Sequence, residues 1–200
     1  MAGLHAIQVT CDAVARLLQE SYRPGLVEPG LNLQFEVYGT EDFKNHMTQG
    51  LSLFLYRVYV NQSQRAPLSK AADGRMRRPQ LPLDLHFLLT AWGPKASLQH
   101  AVLGWAMRVL EDNAILPSAL LNGVRAETFA DDETVEVIAG QLTNEELMNI
   151  WDRLGAEYQL SVPYVARVVR IESAVETATG APVTERGFNF GTARRYETNR

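Results

Sequence analysis

Apolar residues recur at two distinct periods along this chain, and the alternation between them sketches the fold. Leu4, Ile7, Cys11, Val14, Leu17 and Leu18 fall at three- and four-residue intervals, so residues 4–21 read as an amphipathic helix. Pro24, Gly25, Pro29 and Gly30 break it. Leu33, Phe35 and Val37 alternate as in a short strand, and Thr40 is placed to cap a helical turn running through Met47. Residues 51–60 (LSLFLYRVYV) are rich in aromatic and β-branched types and predict a strand apolar on both faces. A polar loop covers residues 61–80. Residues 81–92 (LPLDLHFLLTAW) then form an almost unbroken apolar run whose ionisable members are Asp84 and His86. Their spacing of two puts both on one face of a strand, with Leu85, Phe87, Leu89 and Ala91 on the other. This should be a buried central strand.

Gly93 and Pro94 end that run, and Ser97 is the expected cap of a helix with Leu98, Val102, Trp105 and Val109 on one face. From Asn113 to Ala130 the pattern is irregular, with Pro117 and Gly123. Residues 135–142 (VEVIAGQL) predict a strand. Thr143 and Glu146 form the Thr-x-x-Glu capping box of a helix carrying Leu147, Ile150, Trp151 and Leu154. Residues 163–172 (PYVARVVRIE) are the last strong strand. Helices interleaved with strands predict an α/β (α+β) domain over residues 1–173, with one mixed sheet packed by two to three helices. Residues 174–200 are small, polar and punctuated by Gly180, Pro182, Gly187 and Gly191, and predict a flexible, extended C-terminal arm. Within the arm, Phe188 and Phe190 alternate in GFNFG, and Arg194 and Arg195 follow.

Composition narrows the function classes. The hydrophobic fraction of 46% and charged fraction of 21% are ordinary for a soluble domain, and a net charge of −4 gives no global attraction to nucleic acid or anionic membranes. One cysteine excludes an internal disulfide. No apolar stretch approaches the length of a membrane span, and the N-terminus lacks the pattern of a signal peptide. The expectation is a soluble chain made in the cytoplasm, without nucleic-acid or membrane partners.

Candidate chemistry is sparse. His5, His46, His86 and His100 show no metal-ligand spacing, and no phosphate-binding loop, dinucleotide motif or nucleophile elbow is present. Cys11 lies on the apolar face of the first helix and reads as a core thiol. Asp84 and His86 could form an acid–base pair; without a nearby nucleophile they read instead as a polar pair satisfied at the sheet's edge. Asp131, Asp132 and Glu133 lack the alternating ligand spacing of a calcium loop. No catalytic, cofactor or metal site is expected.

Charge distribution says more than charge total. Residues 61–80 carry Arg65, Lys70, Arg75, Arg77 and Arg78 against Asp73, a net of about +4. Residues 111–136 carry seven acids against Arg125, a net of about −6. Two solvated loops would account for this. So would a contact in which one subunit's basic loop meets the next subunit's acidic segment, which closes into a ring when the rotation allows. The twenty-seven residues of the arm reach roughly 90 Å at ~3.3 Å per residue. A segment such as residues 187–191 could add a strand to a neighbour's open sheet edge.

Four segments taken in order resemble one family: LSLFLYRVYVNQSQR (51–65), RRPQLPLDLHFLLTAWG (77–93), HAVLGWAMRVLEDNAIL (100–116) and LTNEELMNIWDRLGAEYQLSVPYVARVVRIES (142–173). They are similar to the tail-terminator, or cap, proteins of phage-tail-like contractile injection systems of the anti-feeding-prophage and Photorhabdus-virulence-cassette type. Their N-terminal domain was long of unknown function. Some members carry an additional C-terminal domain where this chain has a short tail. The resemblance implies a non-enzymatic structural subunit, a homohexameric ring that ends the inner tube and contractile sheath at one end of a particle released from the cell. Its partners would be itself, the sheath and the tube. The alternatives are another structural component of such a machine, a baseplate part or sheath adaptor, or a small cytosolic enzyme using Asp84 and His86. Residues expected at interfaces are Arg65, Arg75, Arg77, Arg78, Asp131, Asp132, Glu133, Phe188, Phe190, Arg194 and Arg195.

Overall fold

A computed structural model describes residues 3–28, 30–65, 69–70, 76–173 and 175. Its frame is a six-stranded mixed sheet built from β1 (Gln34–Tyr38), β2 (Gly50–Val60), β5 (Leu81–Trp92), β6 (Ile115–Pro117), β7 (Thr134–Ala139) and β8 (Ser161–Ile171). Their order across the sheet is β1-β2-β5-β8-β7-β6. β1 runs parallel to β2, and every other pairing is antiparallel. The parallel contact depends on one glycine. At Gly50 φ is +148°, and an added Cβ would lie 2.1 Å from the carbonyl oxygen of Gln34.

β5 sits between the two other long strands, and its alternation sorts residues as the sequence predicts. Leu83, Leu85, Phe87, Leu89 and Ala91 are buried on the inner face, together with Val9, Val14 and Leu18 of helix α1 (Ala6–Ser21). Leu98, Val102, Ala106 and Leu110 of helix α2 (Ala96–Asp112) and Leu121 of α3 (Ser118–Val124) complete that core. The outer face is covered differently. Leu88 and Trp92 of β5 pack there with Tyr38, Phe43 and Met47, and with Trp151 and Leu154 of helix α4 (Asn144–Leu154). Burying a side chain of this size stabilises the fold by about 1.5–3 kcal/mol, which explains why both clusters form around the same strand.

Several sequence expectations need correction. Among the described residues α1, α2 and α4 lie where helices were expected, and α3 is a fourth. The stretch read as irregular holds β6 and α3, each too short to show a period. Pro117 ends the strand and stands at the helix N-cap, while Asn122 accepts the N–H groups of Thr128 and Phe129 at 3.1 and 2.9 Å and organises the following loop. The loop over residues 61–80 contains a two-stranded ribbon, β3 (Ser69–Lys70) with β4 (Met76–Arg77). Ser97 lies inside α2. The N-cap is Lys95, whose side chain makes no capping bond. Thr40 precedes a 3-10 turn over Glu41–Asn45 without capping it; the Asp42 carboxylate instead accepts the Gly39 N–H at 2.7 Å. The capping box of α4 is formed as expected: Thr143 Oγ1 accepts from the Glu146 N–H at 3.1 Å and Glu146 accepts from the Thr143 N–H at 2.9 Å. At its other end α4 stops at Gly155, in the left-handed region with φ 64°.

Candidate interaction surface

Only part of the outer sheet face lies under α4 and the 3-10 turn, and the uncovered part carries the polar chemistry. The division begins at Tyr56, where the β2–β5 register shifts between Leu55 and Arg57. Such a bulge adds one residue to a strand and re-aims the side chains beyond it. Past the bulge Arg57 stands opposite His86 and Tyr59 opposite Asp84. The apolar character expected for both faces of residues 51–60 therefore coincides with burial only in the first half of β2; Arg57, Val58, Tyr59 and Val60 are exposed.

Asp84 and His86 are not at the sheet's edge but on a central strand, half-buried on this open face. Asn61 donates through Nδ2 to both Asp84 carboxylate oxygens, at 3.1 and 3.0 Å, while its own Oδ1 accepts from Ser63 Oγ at 2.7 Å and from the Gln64 N–H at 3.2 Å. The His86 ring meets Tyr59 edge-on at 5.0 Å and Tyr56 at 6.2 Å. Burial pushes the His86 pKa below its ordinary value; Asp84 opposes that shift and Arg57 adds to it. The imidazole is thus biased toward its neutral form. Among the described residues no hydrogen bond joins Asp84 to His86, so the carboxylate orients Asn61 and the turn after β2 rather than a base. Cys11 is buried on the other side of the sheet, and burial aided by Asp12 pushes its thiol up to about 12. No group of three or more His, Cys, Asp or Glu residues suited to a metal ion occurs among the described residues. No described helix is long and apolar enough to cross a membrane.

Two grooves flank this face. One, of about 400 Å³, runs between Tyr56 and Arg57 of β2 and Glu146, Ile150 and Arg153 of α4. The Arg57 guanidinium lies over the Tyr59 ring, 5.2 Å from its centre. The other, of about 420 Å³, is bounded by Asn61 and Gln64, by Thr134 and Glu136 of β7, and by Arg167 and Arg170 of β8. Arg167 pairs with Glu136 at 3.0 Å, and Arg170 donates to Gln64 at 3.4 Å. Both grooves are open and carry guanidinium groups; the first adds the Tyr56 ring and the apolar Ile150 side chain of α4, and the second is lined mainly by polar groups. Arginine and tyrosine are residue types enriched at protein–protein contacts.

The residues singled out from sequence are distributed unevenly. Arg65 follows the 3-10 turn over Gln62–Gln64 and is exposed, as is Arg78. Arg77 lies on β4. Asp131 and Asp132 are exposed on the turn before β7, where the Glu133 carboxylate accepts the Ala130 N–H at 2.7 Å. Arg75, Phe188, Phe190, Arg194 and Arg195 lie outside the described residues. The start of the basic loop and the end of the acidic segment meet at one end of the sheet, since Gln64 and Thr134 border the same groove. Part of the acidic excess is already matched within the chain, by Arg108 at Asp112 and by Arg167 at Glu136. Sequence reading missed Tyr56, Arg57, Tyr59, Arg153, Arg167 and Arg170. A usable signal was present: Arg57 and Tyr59 alternate within a predicted strand, which marks an exposed face.

The Pvc16 N-terminal domain family model matches residues 10–185. Two cryo-EM structures share the fold. One is the PVC sheath/tube terminator of an extracellular contractile injection system in its extended state, with a TM-score of 0.59 and 15% identity over 95% of this chain. The other is the tube-terminating cap of the anti-feeding prophage, with a TM-score of 0.60 and 16% identity over 90% of this chain. The chain spans 65% of the first protein's length and 59% of the second's. Among curated proteins none matches by sequence.

Proposed function

The chain belongs to the Pvc16 N-terminal domain family, and on that basis we propose that it is a structural terminator of the tube and sheath of a contractile injection particle. The observation that carries this reading is the fold, shared across nearly the whole chain with two proteins that end such assemblies. A terminator must match the growing lattice on one surface and offer no further polymerising surface on the other. That task requires shape and complementary contacts, with no bond-making step. A split outer face, half sealed by an aromatic cluster and half open and rich in arginine and tyrosine, suits it.

In this reading the chains assemble as a homohexameric ring. Arg65, Arg75, Arg77 and Arg78 of one subunit face Asp131 and Asp132 of the next, on the turn that Glu133 holds. Residues 174–200 serve as an arm, with Phe188, Phe190, Arg194 and Arg195 as its contact residues. The particle acts outside the cell in which it is made. Native mass spectrometry of the purified chain tests the reading: a closed ring that binds sheath or tube supports it, and a strict monomer that binds neither overturns it.

A further inference from the structure

β1 ends at Tyr38, which pairs with Phe54, and β2 continues to Val60. Residues 55–60 therefore have β5 on one side and, among the described residues, no strand on the other. The overhang is unusually inviting. Val58, Tyr59 and Val60 are 41%, 46% and 40% exposed, and all are strong strand formers. Natural edges are blunted by shortness, proline or charge. The opposite edge of the sheet shows two of these devices, since β6 has three residues and ends in Pro117. The β2 overhang has no proline, and its charged residue is Arg57.

We infer that residues 55–60 accept residues 187–191 of a neighbouring copy as an added strand in line with β1, an inference that rests on the ring reading above. The two faces of the overhang differ, and the segment matches the difference. Val58 and Val60 stand opposite Leu85 and Leu83, on the inner, apolar side, whereas Arg57 and Tyr59 stand on the outer, polar side. In GFNFG, Phe188 and Phe190 would share one face and Asn189 would take the other. Aromatic residues across from β-branched ones are favourable cross-strand pairs. The starting point fits as well. Ile171 pairs with Leu81 at the end of the sheet where β2 reaches Val60 opposite Leu83, so β8 ends, with β5 between them, at the same end of the sheet as the overhang. Residues 174–186 span on the order of 40 Å when extended, enough to pass between adjacent subunits.

The single cysteine, Cys11, is buried, so engineered thiols can be read cleanly. Two differently tagged full-length chains are co-expressed, one carrying Val58→Cys or Val60→Cys and the other Phe188→Cys or Phe190→Cys, and the rings are oxidised. Paired strands bring Cα atoms within disulfide range. The expected result is a covalent link between the two tags at one of the four pairings, at least about tenfold above a Met148→Cys control on α4. Rings that form with no such link, or with links only inside one chain, overturn the strand pairing and leave the terminator reading standing. A chain that never assembles overturns both. Should a cysteine variant fail to fold, amide exchange of the native ring replaces it. Residues 55–60 should be protected in the full chain and lose protection when residues 174–200 are deleted, and unchanged exchange overturns the pairing.

Discussion

The two faces of the central sheet are built on the same strands and solve different problems. The inner face is mainly aliphatic and closed: β5 contributes Leu83, Leu85, Phe87, Leu89 and Ala91, and helices α1, α2 and α3 seal them. The outer face is aromatic where it is covered and polar where it is not. Its covered part holds ring contacts among Tyr38, Phe43, Trp92 and Trp151, with His46 stacked on Trp92 at 4.3 Å. Aromatic pairs bring geometric specificity along with burial. The contrast teaches that core packing closes one face fully and the other by half, leaving the rest free to carry contacts that would be costly to bury.

Damaging each face in turn puts this contrast at risk. Leu89→Ala, on the inner face, should destabilise the fold by about 2–5 kcal/mol in chemical denaturation, because a fully buried side chain leaves a cavity. The inner face also carries an alkaline liability. The Cys11 thiol is raised from 9.0 to about 12, so its folded state resists ionisation that the unfolded chain undergoes. Its contribution is complete below pH 9 and is lost as pH rises toward about 12, at about 1.4 kcal/mol per pH unit within that window. Cys11→Ala should flatten the stability profile there.

Smaller effects separate two tryptophans of the outer cluster. Trp92 Nε1 donates to the buried Ser52 Oγ at 2.7 Å, so Trp92→Phe should cost about 1–3 kcal/mol by orphaning that hydroxyl. Trp151 Nε1 is buried and finds no partner among the described residues, so Trp151→Phe should cost measurably less. The smallest stability change belongs to the open half. Arg57→Ala and Tyr59→Ala should leave the unfolding free energy within about 0.5 kcal/mol while weakening the proposed ring in native mass spectrometry. A loss of stability matching that of Trp92→Phe would show that the open half is part of the core.

The inner face was the more legible in sequence, for a physical reason. A long buried strand such as Leu81–Trp92 and an α1 face at helical spacing leave periods that survive without tertiary information. On the outer face the Thr143–Glu146 box alone marked the start of α4, by its own hydrogen bonds. Short elements leave no such trace, which is why β6 and α3 went unread. Caps were ambiguous wherever a backbone or neighbouring group could replace the side chain, as at Ser97 and Thr40. The open half of the outer face was hidden for another reason. It is assembled from β2, β5, β7, β8 and α4, and only strand order brings Arg57, Arg153, Arg167 and Arg170 to one side. Charge counting found the loops beside it instead.

Whether this chain ends a tube and sheath is decided by electron microscopy of tube and sheath subunits assembled with and without it. Particles of limited length bearing extra density at one end are expected when the chain is present, and long, unevenly terminated polymers when it is absent. Identical length distributions and bare ends in both preparations would refute the terminator role.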